Sequence, residues 1–323
     1  MTNNLFNKLS DNQISNINKI ILDQINTPVE MLNNACAHLI TSGGKRIRPR
    51  FAIIMAGLLD KTLVNDEAFA RTAAAIELLH TATLLHDDVI DESQLRRGKP
   101  STNNLFGNYV AVLGGDYLFA KVYTLALYNN KNILLNEFSR AVTTLVEGEI
   151  SQMDNIADIN LSEKEYFKVI YAKTSILFEV AAKLPGYILD IDDDKINLLA
   201  EYGIAIGNAF QIVDDVLDYT ATEQTLGKDI GNDLEENKIT LPLIYCLQSL
   251  DNEKDITEFK QAIKDKNIKL INDFIKKTNS IEKCLTKAKS MIGEAFQKLN
   301  IFNDNEYKDA LLELNNLIIN RDY

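Results

Sequence analysis

The chain has 323 residues, 46% of them hydrophobic, and a formal charge of -12 at pH 7. That length can bury a sizeable core, as one large domain or two small ones. The acidic balance argues against a nucleic-acid binder, which needs a basic face, and weakens the case for electrostatic docking on anionic lipid.

Only 14 Gly and 5 Pro interrupt long Leu-, Ile- and Ala-rich runs, which points to an all-α protein. Helical periodicity predicts helices over 5–25, 28–41, 48–60, 66–92, 108–129, 132–156, 162–183, 195–219, 240–250, 255–264, 267–278, 280–298 and 304–320. Thr27-Pro28-Val29-Glu30 and Ser162-Glu163-Lys164-Glu165 read as capping boxes, with Asp255-Ile256-Thr257-Glu258 a looser one; Asn65 or Asp66 suits the cap of 66–92. No alternating strand pattern, no linker and no short repeat appears, so we expect a single domain, 1–323. Cys36, Cys246 and Cys284 lack paired spacing and read as reduced thiols. No run of 18 consecutive apolar residues is present, and MTNNLFNKLSDNQ lacks the regions of a secretory signal. The expectation is a cytoplasmic protein without stable membrane insertion.

The first segment with chemical promise is Thr41 to Arg50, TSGGKRIRPR. Gly43 and Gly44 end a helix and let the backbone bend before Lys45, Arg46, Arg48 and Arg50. Cations at a helix C-terminus are ordinary, but a tight basic knot in an acidic chain also suits an anion pocket. In 66–92 the stretch HTATLLHDDVIDE places Asp87 and Asp91 on one helix face, with Asp88 one step around. Carboxylates so grouped repel unless a cation lies among them, and Mg2+ suits, since it takes a few carboxylates and leaves other positions to water and phosphate. For one such cluster a solvated helix end reads equally well. His80, two turns before Asp87, shares that face; His86 reads as supporting. Arg96 and Arg97 then offer forked donors suited to phosphate oxygens.

The helix over 108–129 contains Gly114 and Gly115, which suit tight packing or room for a ligand. Glu149 and Gln152, at i and i+3 in 132–156, carry no site reading. Lys173 and Thr174 stand in an apolar helix, where a lysine ordinarily reaches out to solvent. Gln211 to Asp218, QIVDDVLD, repeats the acidic spacing with Asp214, Asp215 and Asp218, and this second copy favours the metal reading. Lys228 and Lys238 lie in and beyond the loop that follows. Past residue 250 the helices are amphipathic, with no sign of chemistry.

Two acidic clusters with Lys, Arg, His and Gln describe a site for more than one highly charged phosphate ester. No activated nucleophile or Walker-type loop is evident, which fits ionisation with departure of diphosphate. On GGKRIRP, HTATLLHDDVIDE, RRGKPS, KTSILF, FQIVDDVLD, GKDIGNDL and NKITLPL, in this order along nearly the whole chain, it resembles the trans-polyprenyl diphosphate synthases. These join isopentenyl diphosphate to an allylic diphosphate head-to-tail. The resemblance implies an all-α, single-domain antiparallel helical bundle of the isoprenoid synthase type around a deep central cavity. It implies that Asp87, Asp88, Asp91, Asp214, Asp215 and Asp218, with Lys173 and Lys228, are catalytic. Asp87, Asp91 and Asp214 are then the ligands of Mg2+, roughly three ions per site with diphosphate bound. Arg96, Lys173, Thr174, Gln211, Lys228 and Lys238 match allylic-diphosphate contacts, and Lys45, Arg48, His80 and Arg97 match the isopentenyl diphosphate pocket.

Ala82, five residues before Asp87, stands where short-chain members carry an aromatic stopper. A methyl there leaves a tunnel open past Leu78, Leu79 and Ala75, with Leu118, Phe119 and Tyr123 as candidates for its floor. The pattern is most similar to bacterial octaprenyl diphosphate synthases, which serve quinone side chains such as ubiquinone's, with farnesyl diphosphate as the expected primer and a homodimer as the expected assembly. A geranylgeranyl synthase shares the small Ala82. A class I terpene cyclase needs no second-diphosphate pocket, and a regulatory subunit tends to lose acidic motifs that are intact here.

Overall fold

A computed structural model of the chain describes residues 4–220 and 231–321, apart from the side chain of Asn232. The described residues form helices joined by short turns, with one two-stranded hairpin, as the all-α expectation holds. Two compact units divide them. One is Met1–Val142, Leu177–Ala200 and Asn300–Glu313, and the other is Thr143–Ile176, Glu201–Leu299 and Leu314–Tyr323.

The first unit contains α1 (Leu5–Lys8), α2 (Asp11–Gln24), α3 (Glu30–Thr41), α4 (Ile47–Leu59) and α5 (Glu67–Ile90). After α5 come β1 (Leu95–Arg96), β2 (Lys99–Pro100), α6 (Thr102–Phe106), α7 (Asn108–Ala126) and the start of α8 (Asn132–Asp154). Asp66 caps α5 by accepting from the Phe69 amide at 2.8 Å. The 24 residues of α5 extend about 36 Å at the helical rise. Ala73, Ala74, Ala75, Ile76, Leu78, Leu79, Ala82 and Leu85 are all buried, so apolar contacts surround the helix instead of lining one face.

Helix α7 runs antiparallel along α5. Leu85 meets Gly114 and His86 meets Gly115 at one end, while Asn129, just past α7, bonds the Ala68 carbonyl at the other. A Cβ on Gly115 would stand 2.2 Å from His86 Nε2, so close packing is what requires that glycine. The outer flank of α7 exposes Tyr109 and Leu113, at 88% and 61%.

The second unit takes the rest of α8, then α9 (Glu163–Ile170) and a single π turn (Tyr171–Ser175) that leads into α10 (Ile176–Ile188). It also holds most of α11 (Asp193–Thr220), then α12 (Asn232–Glu235), α13 (Leu241–Gln248), α14 (Glu253–Lys264), α15 (Ile268–Thr278) and α16 (Ser280–Lys298). The last helix, α17 (Glu306–Ile319), begins in the first unit and ends in the second. Cys36, Cys246 and Cys284 are buried free thiols.

Several local expectations need correction. Ser162 does cap α9, accepting from Glu165 N at 3.2 Å. Thr27 does not cap α3, because its hydroxyl is spent on the Val29 amide in a local turn and the helix starts at Glu30. Asn252 takes the place expected of Asp255, accepting that residue's amide at 2.8 Å. The helix expected over 5–25 breaks where Ser10 turns its hydroxyl back to the Phe6 carbonyl. The helix expected to stop at 183 continues to Ile188. A hairpin stands where no strand was expected, since two-residue strands carry no alternation to read. Although no uninterrupted apolar run reaches 18 residues, Asn108–Asn129 and Asp193–Thr220 have the length and mean hydropathy of a span. Core helices pass the same test, and 67% of the second's most apolar stretch is buried against 39% of the first's.

Candidate functional site

The first acidic motif occupies the last turn of α5. Asp91 N bonds the Asp87 carbonyl at 2.8 Å and Ser93 N bonds that of Asp88 at 2.9 Å, closing the helix. The carboxylates therefore gather at the negative end of the helix dipole, with no basic residue in that turn. Asp88 turns inward and is fully buried. Its Oδ1 accepts from Arg96 Nε at 2.7 Å, while its buried Oδ2 has no hydrogen-bond partner among the described residues. Asp87 is half-buried and Asp91 exposed.

The β1–β2 hairpin aims the two arginines. Arg97 (φ 55) and Gly98 (φ 73) are both left-handed and make its two-residue turn, the geometry that matches strand twist. Arg96 thereby reaches Asp88, and Arg97 Nη1 donates to the Gly43 carbonyl. Gly44 has φ 139, and a Cβ there would stand 2.9 Å from Arg97 Nη1, so only glycine fits. Arg46, left-handed at φ 50, spends its guanidinium on Glu77 Oε1 at 2.9 Å, Asn18 Oδ1 at 3.1 Å and the Ile40 carbonyl at 2.8 Å. Lys45 and Arg48 flank it in the chain, and the Arg48 guanidinium lies 5.1 Å from the Phe178 ring centroid.

His80 stands among these cations. Its pKa is held well below the usual histidine range, by loss of solvent first and then by Arg48, Arg97, Arg96 and Arg46. Guanidinium groups near an imidazole that resists protonation offer donors suited to an anion. Lys45, Arg48, His80 and Arg97 thus belong to one unit, together with Arg96 and the first acidic motif. Glu77, which anchors Arg46, was not singled out in the sequence; its one signal is a lone acid in an apolar helix three residues before His80.

The second acidic motif lies on the final turns of α11, again at a C-terminal end without a basic residue. Its second aspartate also turns inward. Asp215 Oδ2 accepts from Tyr166 OH at 2.6 Å and Oδ1 from Gln211 Nε2 at 2.8 Å, while Gln211 Oε1 accepts from Thr174 Oγ1 at 2.8 Å. Burial, then Asp233, raises the Asp215 pKa well above the carboxylate range. Asp233 is itself pushed up to about 7, by burial first and Asp218 next. Its amide donates to Asp218 Oδ2 at 3.2 Å. Asp214 Oδ1 lies 2.7 Å from Arg321 Nη1.

Thr174 and Lys173 both ride on the π turn, a feature that often marks functional positions in helices. Lys173 Nζ does not simply reach out to water, since it meets Glu149 Oε2 at 2.7 Å and Gln152 Oε1 at 2.5 Å. Lys238 pairs with Glu236. Lys228 lies outside the described residues. Tyr166, Asp233, Glu149, Gln152 and Arg321 were not read as site residues, because each meets its partner through the fold; of the five, Asp233 alone falls in a quoted motif, GKDIGNDL.

The donor set fits a hard divalent cation. Every candidate ligand is a carboxylate, both clusters sit at negative helix ends, and Asp88 Oδ2 is orphaned by burial. No three His, Cys, Asp or Glu converge into a cage among the described residues, and Mg2+ needs none, since one or two carboxylates plus phosphate oxygens hold it. Ala82, Leu78 and Leu79 are fully buried on α5. The α5–α7 register sets Phe119 one turn from Gly115, and its ring meets His86 edge-on at 5.4 Å.

A profile of the family described as polyprenyl synthetase matches residues 29–297. The octaprenyl diphosphate synthase of Escherichia coli is 35% identical over 320 residues, 98% of each chain. The geranyl-diphosphate-specific all-trans-nonaprenyl-diphosphate synthase of Rhodobacter capsulatus is 36% identical, covering 94% of each. Among solved structures, the polyprenyl synthase of Caulobacter crescentus, crystallised with calcium and isoprenyl diphosphate, superposes with a TM-score of 0.89 at 34% identity, over 99% of this chain and 98% of that one.

Proposed function

The chain belongs to the polyprenyl synthetase family, a family of prenyltransferases with the all-α isoprenoid synthase fold, and from that premise we propose that it makes octaprenyl diphosphate. In this reading farnesyl diphosphate is the primer, successive isopentenyl diphosphate units extend it in the all-trans sense, and the product supplies quinone side chains. The E. coli relative and the small Ala82 support the length, while a geranylgeranyl product is what an early tunnel floor would give. One catalytic domain of 1–323 carries the work.

The observation that carries the reading is the group of arginines whose charge reaches His80 and lowers its pKa, in the same unit as the first acidic motif. Ionising one diphosphate needs acids that recruit metal; holding a second diphosphate needs cations of the protein's own. Lys45, Arg48, His80 and Arg97 are proposed to bind isopentenyl diphosphate. Because His80 is neutral, its ring can donate one hydrogen bond without adding charge. Asp87, Asp91 and Asp214 would hold magnesium, and Asp88, Asp215 and Asp218 orient the motifs. When bound, Mg2+ neutralises the allylic diphosphate and makes it a better leaving group. Arg96, Lys173, Thr174, Gln211, Lys228 and Lys238 are the allylic-side contacts in this scheme. Buried Ala82, Leu78 and Leu79 offer the prenyl cation no nucleophile and keep water from it. The departing diphosphate takes the final proton, so no side-chain base is required.

We place the enzyme in the cytoplasm as a homodimer, and the exposed apolar flank of α7 with Tyr109, Val112 and Leu113 supports such an interface. The test of function is incubation with Mg2+, farnesyl diphosphate and isopentenyl diphosphate, followed by separation of products by length. Extended diphosphates ending near octaprenyl are expected. A cyclic hydrocarbon would make the protein a cyclase, and inertness a regulatory subunit.

A further inference from the structure

Arg321 belongs to none of the motifs, yet its side chain reaches the second acidic cluster. Nη1 stands 2.7 Å from Asp214 Oδ1, and the guanidinium lies over the Phe210 ring, 4.5 Å from its centroid. Phe210 is one helical turn before Asp214 on α11, so ring and carboxylate form two walls of one seat. Both charged groups are sheltered, with the Arg321 side chain 16% exposed and that of Asp214 27%. The neighbouring carboxylate of Asp215 is already engaged on both oxygens, by Tyr166 and Gln211. Asp214 thus meets a cation in this cluster while also being proposed to hold metal.

These two tasks compete for the carboxylate. A guanidinium close to a divalent ion on one carboxylate is repelled by it, so Asp214 must change partners when it takes up metal. Arg321 does not then have to leave, because the face of Phe210 still holds it through cation–π attraction. Its forked donors match phosphate oxygens as well as they match a carboxylate.

We propose that Arg321 is a diphosphate-binding residue of the second acidic site, kept on Asp214 in the resting protein and transferred to the phosphate oxygens of the allylic substrate when that substrate binds with its metal. The inference rests on the reading of Asp214 as a metal ligand. It makes Asp214 and Arg321 an exchange pair: the carboxylate passes from guanidinium to metal, and the guanidinium from carboxylate to phosphate.

Arg321→Gln and Arg321→Lys, made in the full chain, test it through two independent readouts. The first is Mn2+ binding without any diphosphate, followed by electron paramagnetic resonance. With its competitor gone, Arg321→Gln should bind Mn2+ at least about threefold more tightly, as expected for removal of a sheltered ion pair. The second is steady-state kinetics. Arg321→Gln should raise the allylic KM about tenfold, the worth of one charge-assisted hydrogen bond, with the isopentenyl KM changed less than about twofold. Arg321→Lys keeps the charge without the fork and should fall between.

Phe210→Leu removes the platform while sparing the ion pair, and should raise the allylic KM without tightening Mn2+. The inference is overturned if Arg321→Gln leaves Mn2+ affinity and the allylic KM unchanged. It is equally overturned if both substrate KM values and the melting temperature move together in all three variants, the mark of a purely structural residue. Asp214→Ala separates the two layers. Mn2+ binding that survives this change sinks the metal reading itself, whereas loss of Mn2+ there beside a silent Arg321→Gln sinks the exchange alone.

Discussion

Asp88 and Asp215 occupy equivalent places in their motifs and meet the same fate, turned into the protein and tied by side chains from elsewhere. Arg96 holds the first; Tyr166 and Gln211 hold the second. Their outer neighbours Asp87 and Asp214 keep partial exposure. The motifs therefore divide their labour, and substitution should show it. Asp87→Ala or Asp214→Ala is expected to cut kcat by orders of magnitude while leaving the melting temperature nearly unchanged. Asp215→Ala should also lower stability, by about 1–3 kcal/mol, because it strands the buried Tyr166 hydroxyl without an acceptor. Thermal melts beside single-turnover rates decide this, and equal melting temperatures for Asp214→Ala and Asp215→Ala would remove the distinction. The aspartates themselves were legible in the sequence, because i and i+4 spacing is a local property. Tyr166 was not, since it lies 49 residues from its partner and nothing in its own segment marks it.

Among the elements, α5 is read most directly from sequence. Asp66 announces its start, and an apolar run with period 3.6 carries it to the acids. The hairpin after it was invisible, since it depends on Arg97 adopting a left-handed backbone that arginine rarely takes. The π turn at Tyr171–Ser175 was equally hidden, because one extra residue in a helical turn leaves the apolar pattern nearly intact. Two substitutions test the α5–α7 pair. Gly115→Ala drives a methyl onto the His86 ring and should cost about 1–3 kcal/mol as overpacking, measured by denaturant melts. Ala82→Phe should shorten the product, to about geranylgeranyl length from a farnesyl primer, with the fold retained. An unchanged chain-length distribution would remove Ala82 from the tunnel wall.

The molecule as a whole also carries buried charge outside the acidic motifs. Glu137, Arg140, Glu179 and Lys183 form a network in the first unit, with Glu137 Oε2 2.9 Å from Lys183 Nζ and 2.8 Å from Arg140 Nη2. Burial opposes ionisation of Glu137, but the hydrogen bonds from Arg140 and Lys183 outweigh it and leave its pKa below the usual value of 4.5. A carboxyl depressed on folding stabilises the native state above its unfolded pKa, and the benefit disappears as pH falls through the folded value. The melting temperature should therefore drop more steeply below about pH 4.5 in the native protein than in Glu137→Gln. The variant starts less stable, because Lys183 loses the nearer of two counter-charges and keeps Glu179 Oε1 at 3.4 Å. Parallel acid profiles for the two proteins would show that the network does not titrate with the fold. At this scale the sequence revealed composition and helix content, while the pairing of residues 137 with 183 came only from packing.

The position of both acid clusters at helix C-termini has a consequence outside catalysis. Each helix dipole and its carboxylates have the same sign there, so without divalent ions each cluster keeps a self-repulsion that Arg96 or Arg321 offsets only in part. Ions that bind only the folded form stabilise it by mass action. The apparent melting temperature should rise with millimolar magnesium and fall in a chelator, even with no prenyl substrate present. A cell starved of the ion would then lose this protein to proteolysis as well as losing its turnover, and abundance would follow mineral supply.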